Sequence, residues 1–276
     1  MTQHAASPPT AAFDPARACA TFEPPPRRRG RRRATEILFV EQQGARFVVK
    51  SFAQPGDGDG DAARRARREI GGVEAFRSAG AAALAPLAGP FESLDLQIDG
   101  SRRALTQAMV FAFVALPTLY DAIADSPDPA PLVREAARRI RARHAAAQSA
   151  AAIHSDGSAH NVFSDWTWFD FCEPHAIGEL RHLQALEVLR FVSSVVEVSR
   201  VRRARPRVAA FCEGYGDRNV LLLALDHARQ DEPHVRVRSW ARMLGRPDKL
   251  LRFLRGDTRL FRRIRTWDAL DHALAD

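Results

Sequence analysis

Residues 153–173 read Ile153-His154-Ser155-Asp156-Gly157-Ser158-Ala159-His160-Asn161-Val162-Phe163-Ser164-Asp165-Trp166-Thr167-Trp168-Phe169-Asp170-Phe171-Cys172-Glu173. The stretch puts His154, Asp156 and Asn161 on a Gly/Ser-rich loop and Asp170 at the end of an aromatic run. An aspartate, then an asparagine, then a short hairpin ending in Asp-Phe is a set suited to phosphoryl transfer from Mg-ATP. One carboxylate orients a hydroxyl nucleophile, while an amide oxygen and a second carboxylate hold metal against the phosphates. Mg2+ takes oxygen ligands and usually needs only one or two carboxylates from the protein, so Asn161 with Asp170 suffices.

Upstream, Thr35–Glu41 and Arg46–Lys50 alternate like two strands, joined by a turn around Gly44. Lys50 ends the second strand. Lys50 and Lys249 are the two lysines among 41 Lys+Arg, so a chain that uses arginine nearly everywhere keeps lysine here. A compact ammonium at a strand end reaches phosphates as a point charge; the plainer alternative is a lysine reaching for solvent. Residues 62–79 read as a helix with Ile70, Val73 and Phe76 on one face. Glu69, on the flank of that face, is a candidate partner for Lys50, and Glu74 competes with it. The Gly56–Asp61 loop resembles a calcium loop only superficially, because Gly alternates with Asp and no Glu closes it.

The chain has 276 residues, room for one large domain or two lobes. No run reaches the roughly 18 apolar residues of a membrane span. The N-terminal stretch lacks a basic start followed by an apolar core, so no signal peptide is expected. Cys19, Cys172 and Cys212 show no C-x-x-C spacing, which argues against a zinc knuckle or disulfide framework and fits a reducing, cytoplasmic setting. The net charge of +8 and pI of 10.5 admit a nucleic acid, an anionic membrane face or a phosphorylated substrate as partner.

Residues 1–30, rich in Ala, Pro and Ser, are expected to form a disordered tail ending in the basic run Arg27–Arg33. Residues 31–115 read as a small strand-rich lobe that covers a nucleotide, with hairpin strands at 91–98 and 103–114. Residues 116–276 read as a larger helical lobe, with helices at 130–152, 178–201, 207–229 and 237–274. The second of these carries an expected buried row of Leu180, Leu183, Leu186, Leu189 and Val192 or Val195. Runs of strands followed by runs of helices make an α+β chain.

These residues resemble the protein-kinase-like superfamily, over roughly residues 30–230. The carriers are Val48-Val49-Lys50, Glu69 in R-R-E-I-G-G-V-E-A-F, the loop from His154 to Asn161, and Asp170-Phe171-Cys172. The pattern H-x-D-x-x-A-H-N is similar to the catalytic loop of bacterial kinases of lipopolysaccharide core sugars (Kdo and heptose kinases). Arg32-Arg33-Ala34-Thr35 before G-A-R-F-V-V-K is similar to the same group. Phe211-Cys212-Glu213-Gly214-Tyr215 is similar to a helix start in the small-molecule kinases of this superfamily, which includes the aminoglycoside-type phosphotransferases. The resemblance implies a two-lobed fold with a β-rich N-lobe holding one helix, and a helical C-lobe. It implies Asp156 as catalytic base and His154 as a structural member of the catalytic loop. Lys50 would bind the nucleotide phosphates with Glu69 as its partner, and Asn161 and Asp170 would bind Mg2+ and thereby ATP. Adenine would meet the linker between the lobes.

Several positions depart from the pattern. Ser155 stands where regulated protein kinases carry Arg, Cys172 follows Asp-Phe in place of Gly, and neither G-x-G-x-x-G before Lys50 nor A-P-E after Asp170 is present. These departures favour a sugar or other small-molecule acceptor over a regulated Ser/Thr protein kinase. A lipopolysaccharide-type acceptor implies peripheral contact with the inner face of the membrane. Two other readings use the same residues. His154, Asp156, His160 and His175 have the ligand types of a hydrolytic transition-metal site, without its helical spacing. A pseudokinase or basic binding module would use Arg27–Arg33 and the last helix on an anionic partner, nucleic acid being less favoured.

Overall fold

Alternating apolar residues and two left-handed turns build the strand-rich part of the chain. The computed structural model describes residues 12–24, 36–54, 56–58, 60–199, 201–230 and 262–275. It divides into two compact units: Met1–Glu74, Ala83–Leu116 and Phe171–Pro174 form the first, and Ala75–Ala82, Pro117–Asp170 and His175–Asp276 form the second.

In the first unit, strands β1 (Ala20–Thr21), β2 (Ile37–Gln42), β3 (Ala45–Ser51), β4 (Ala88–Ile98) and β5 (Ser101–Ala112) form one antiparallel sheet in the order β1-β2-β3-β5-β4. Two-residue turns set its register. Gln43 and Gly44 have φ of 53° and 78°, and Asp99 and Gly100 have 50° and 79°. Two successive positive φ values give the type I′ geometry whose twist matches the strands. β4 begins at Ala88, before the expected Phe91, because a bulge shifts the register between the two. Gly89 permits that bulge: its φ is 100°, and a Cβ there would lie 2.8 Å from the Ala108 carbonyl oxygen.

Strand alternation sends Val40, Phe47, Val49, Leu94, Leu96 and Val110 into one core. The opposite face carries Phe52, Met109 and Phe111, packed with Ala66 of helix α1 (Asp61–Ser78) and with Cys172. The buried residues of α1 up to Val73 are Ala66, Glu69, Gly72 and Val73, so Glu69 lies in the buried stripe itself and not on its flank.

The expected disordered tail is corrected for residues 12–24. Ala20 and Thr21 pair with Glu41 and Val40 of β2. Phe13 meets the edge of Phe47, and Phe22 meets Phe39 and Phe113. Cys19 bridges to Ile98 of β4: its N–H donates to Gln97 O at 2.8 Å, and Asp99 N–H donates to its carbonyl at 3.1 Å. Thr21 Oγ1 adds a 2.6 Å bond to the Asp99 carboxylate. Alanine-rich composition hid two phenylalanines with a sheet to pack on. The basic run Arg27–Arg33 and the Arg32–Thr35 stretch lie outside the described residues.

The second unit is helical: α2 (Leu119–Asp125), α3 (Ala130–Ala146), α4 (Leu180–Val198), α5 (Val201–Tyr215), α6 (Arg218–Gln230) and α7 (Arg262–Ala275). The expected helix 130–152 ends early, since Ala147 turns extended with ψ of 122° and only a short helical turn follows at Ala150–Ala152. The expected helix 207–229 is two helices, separated at Gly216 with φ of 71°. Phe211–Tyr215 closes α5 and does not start a helix. Gly214 there allows close approach to α3, because a Cβ would lie 2.4 Å from Arg134 O. The buried face of α4 contains Leu183, Gln184, Glu187, Val188, Phe191, Ser194 and Val195. The expected row of Leu180, Leu186 and Leu189 is half-buried instead. Of the expected helix 237–274, residues 237–261 lie outside the described residues.

Candidate functional site

Within the first unit, strand parity places Lys50 on the face that α1 covers. Its ammonium donates to Glu69 Oε2 at 2.9 Å and to Cys172 Sγ at 3.5 Å, and lies 4.8 Å from the centre of the Phe52 ring. Glu69, and not the exposed Glu74, is therefore the partner. Both members are buried, with Lys50 8% and Glu69 2% exposed. A buried ion pair holds geometry more than it adds stability, because desolvation offsets much of its attraction. The segment Phe171–Pro174 is held against α1 from two sides. Arg68 Nε donates to Cys172 O at 2.9 Å, and a Cβ on Gly72 would lie 2.6 Å from Phe171 Cβ.

Within the second unit, the loop 153–161 is closed on itself. His154 Nε2 donates to Phe169 O at 3.0 Å, and its Nδ1 accepts the Asp156 N–H at 3.1 Å. That pair of bonds selects the Nε2-H tautomer, and burial keeps the ring neutral by lowering its pKa. Ser158 N–H donates to Asp156 O at 2.6 Å, and Asn161 N–H to Ser158 O at 3.0 Å. The Asn161 side-chain amide donates to Asp156 O at 2.8 Å and to Asp156 Oδ2 at 3.2 Å. Its NH2 is thus committed to Asp156, and its carbonyl oxygen is the atom suited to a metal.

The short spacing from Asn161 to Asp170 is accommodated by a tight hairpin. Val162 bridges to Trp168, Phe163 N–H donates to Thr167 O at 2.9 Å, and Phe169 N–H to Asn161 O at 3.1 Å. Asp170 follows with φ of 69°, a left-handed conformation that Asp adopts more readily than bulkier residues. It is half-buried, as is Asp156. Asn161 and Asp170 offer hard oxygen donors, the set that fits Mg2+.

The transition-metal reading finds no support in this loop. Both ring nitrogens of His154 are engaged, and His160 stacks on Tyr120 with centroids 3.7 Å apart.

Sequence reasoning missed what lies beneath the loop. Glu187 of α4 is 0% exposed; its Oε1 accepts Arg143 Nη2, and its Oε2 accepts His144 Nε2 at 2.9 Å and the His154 N–H at 2.9 Å. His144 Nδ1 in turn accepts the Tyr215 hydroxyl at 2.8 Å. Arg143 lies over the rings of Phe76 and Trp168, at 4.1 and 4.6 Å. Burial by itself would raise the Glu187 pKa, but Arg143 and then His144 override it and hold the group at about 2. Burial likewise lowers the pKa of His144 and keeps it neutral. Farther along α4, Ser194 Oγ accepts the Ala159 N–H at 3.0 Å. The available signal was Arg143-His144 at the end of one helix and a lone glutamate among the leucines of the next.

No family model and no curated protein matches the sequence. A solved structure described as "WaaP in complex with acyl carrier protein" aligns at 16% identity with a TM-score of 0.42, covering 83% of this chain and 86% of that one. A superposition that loose assigns no activity.

Proposed function

We propose that the protein is an ATP- and Mg2+-dependent phosphotransferase acting on a hydroxyl group, the acceptor being a sugar of lipopolysaccharide or another small molecule. The observation that carries the reading is the Asn161–Asp156 contact, which fixes a carboxylate and an amide oxygen on one rigid loop. The buried Lys50–Glu69 pair supports it independently, since it holds a cation in a set position.

In this proposal Asp156 orients the acceptor hydroxyl and takes its proton as the oxygen attacks the γ-phosphorus, while the bond from that phosphorus to the β,γ-bridging oxygen breaks and ADP leaves. Lys50 offsets charge on the α- and β-phosphates, and Glu69 keeps its ammonium in place. Asn161 and Asp170 would hold Mg2+, which when bound neutralises phosphate charge. His154 positions Asp156 through the bond to its N–H. Catalysis of this kind is mostly placement and electrostatics. For the expected membrane contact, no described helix is long and apolar enough to cross a bilayer.

One observation favours a second reading, a non-catalytic relative. Cys172 replaces the family glycine and accepts a bond from Lys50 at 3.5 Å. A single experiment separates the two. ATP turnover is measured with and without Mg2+ for wild type and Asp156→Asn, with sugar, lipopolysaccharide-fragment and protein acceptors. The proposal expects Mg2+-dependent turnover that Asp156→Asn abolishes while nucleotide still binds; equal rates overturn it.

A further inference from the structure

We propose that His182 and His227 form a surface site for a divalent transition cation of the Zn2+ class, held between two packed helices of the second unit. The site goes beyond the phosphotransferase reading and does not depend on it.

Helix packing brings the two rings together across 45 residues of chain. His182 stands in the first turn of α4 and His227 in the last turn of α6. The two helices pack against each other. Leu183, next to His182, and Ala224, one turn before His227, are both buried, so the backbone under each ring is held. His182 is exposed and His227 half-buried, so an ion reaches the pair from solvent. His182 Nδ1 faces His227 Nε2 at 3.4 Å. Among the described residues neither imidazole has another hydrogen-bond partner.

That distance favours a shared ion over a direct bond. An N–H···N bond would draw the two nitrogens to about 3 Å. Two imidazole nitrogens bound about 2.0–2.1 Å from one tetrahedral Zn2+ stand about 3.3–3.4 Å apart, which is the spacing found here. The same geometry puts the ring centres about 5.2 Å apart. Here they are 5.5 Å apart with 64° between the planes, so a small side-chain rotation aims both nitrogens at one point.

Imidazole nitrogen suits Zn2+, Ni2+ and Cu2+, whereas Mg2+ takes oxygen donors. The site is therefore chemically distinct from the one proposed for Asn161 and Asp170. Among the described residues no third His, Cys or carboxylate completes a cluster with this pair. Two of four coordination positions then fall to water or to a donor from an outside ligand. His182 binds through Nδ1 and His227 through Nε2, and each ring keeps its proton on the other nitrogen.

The test is a Zn2+ titration of the full chain, followed by the 15N shifts of its imidazoles. One equivalent is expected to move His182 Nδ1 and His227 Nε2 together, with a Kd on the order of 1–100 μM for a site with half the ligands of a structural zinc centre. The exposed His272 should not move with them, and Mg2+ should move neither ring of the pair. His182→Ala and His227→Ala should each weaken binding at the remaining ring at least about 10-fold. Zn2+ should raise the thermal midpoint of wild type more than that of either variant. The proposal is overturned if Zn2+ at about 1 mM leaves both nitrogens unmoved. It is also overturned if His227 responds equally with and without His182. Should a variant fail to fold, the wild-type shifts decide alone. No readout involves phosphate transfer, so this result and the fate of the phosphotransferase reading are separable.

Discussion

Lys50 and Glu69 form a 2.9 Å ion pair whose side chains are only 10% and 2% exposed. Removing one charge from such a pair leaves the other in a poor solvent. Glu69→Ala is expected to cost about 3–5 kcal/mol in urea unfolding. The double substitution Lys50→Met with Glu69→Leu should recover most of that stability and none of the turnover. Stability lost equally in the single and double variants would show that the pair's charge is not the cause.

The second unit should weaken in acid, through two contributions of the same sign. Glu187 is held at about 2 against an ordinary 4.5. Below 4.5 the unfolded chain takes up a proton that the folded chain refuses, so this contribution is full above 4.5 and is lost as pH falls toward 2. His144 and His154 are held below their ordinary 6.5, chiefly by burial. The unfolded chain protonates them first, so stability also falls as pH drops below 6.5. Urea midpoints measured from about pH 7 to 4 should decline throughout, and His144→Gln should flatten the upper part of that decline.

Gly72 faces Phe171 so closely that a methyl group forces movement. Gly72→Ala is expected to displace Phe171 and Cys172 and to lower turnover about 10-fold or more, with little change in far-UV circular dichroism. Unchanged kinetics would show that the Phe171 segment tolerates displacement.

Residues 12–24 contribute three aromatic contacts, made by two phenylalanines, and a strand. Deleting the chain through residue 24 is expected to cost at least about 3 kcal/mol, the scale of losing two partly buried Phe side chains. Phe13→Ala with Phe22→Ala should reproduce most of that loss in the full-length chain. Thermal unfolding checks both.

Much of the local structure was legible from residue types. Gly44 announced its turn, and Lys50 stood out as a strand-end lysine in a chain that otherwise uses arginine. Asp156 and Asn161 were recognisable as a loop pair by spacing. What could not be read depended on tertiary burial. Glu187 in L-E-V-L resembles a solvent-side residue until Arg143 and His144 arrive from another helix. Glu69 likewise joined a buried stripe that hydrophobicity alone assigned to Ile70, which is half-buried. Gly216 split a continuous helical pattern that periodicity could not divide.

The bridge from Cys19 to Ile98 links strand β4 to the segment leading into β1, the two outermost members of the sheet. A sheet with bare margins invites pairing with other chains. Here the short N-terminal segment sutures one margin to the other, so along that seam the backbone hydrogen-bonding groups are already spoken for and offer no template to a neighbouring molecule.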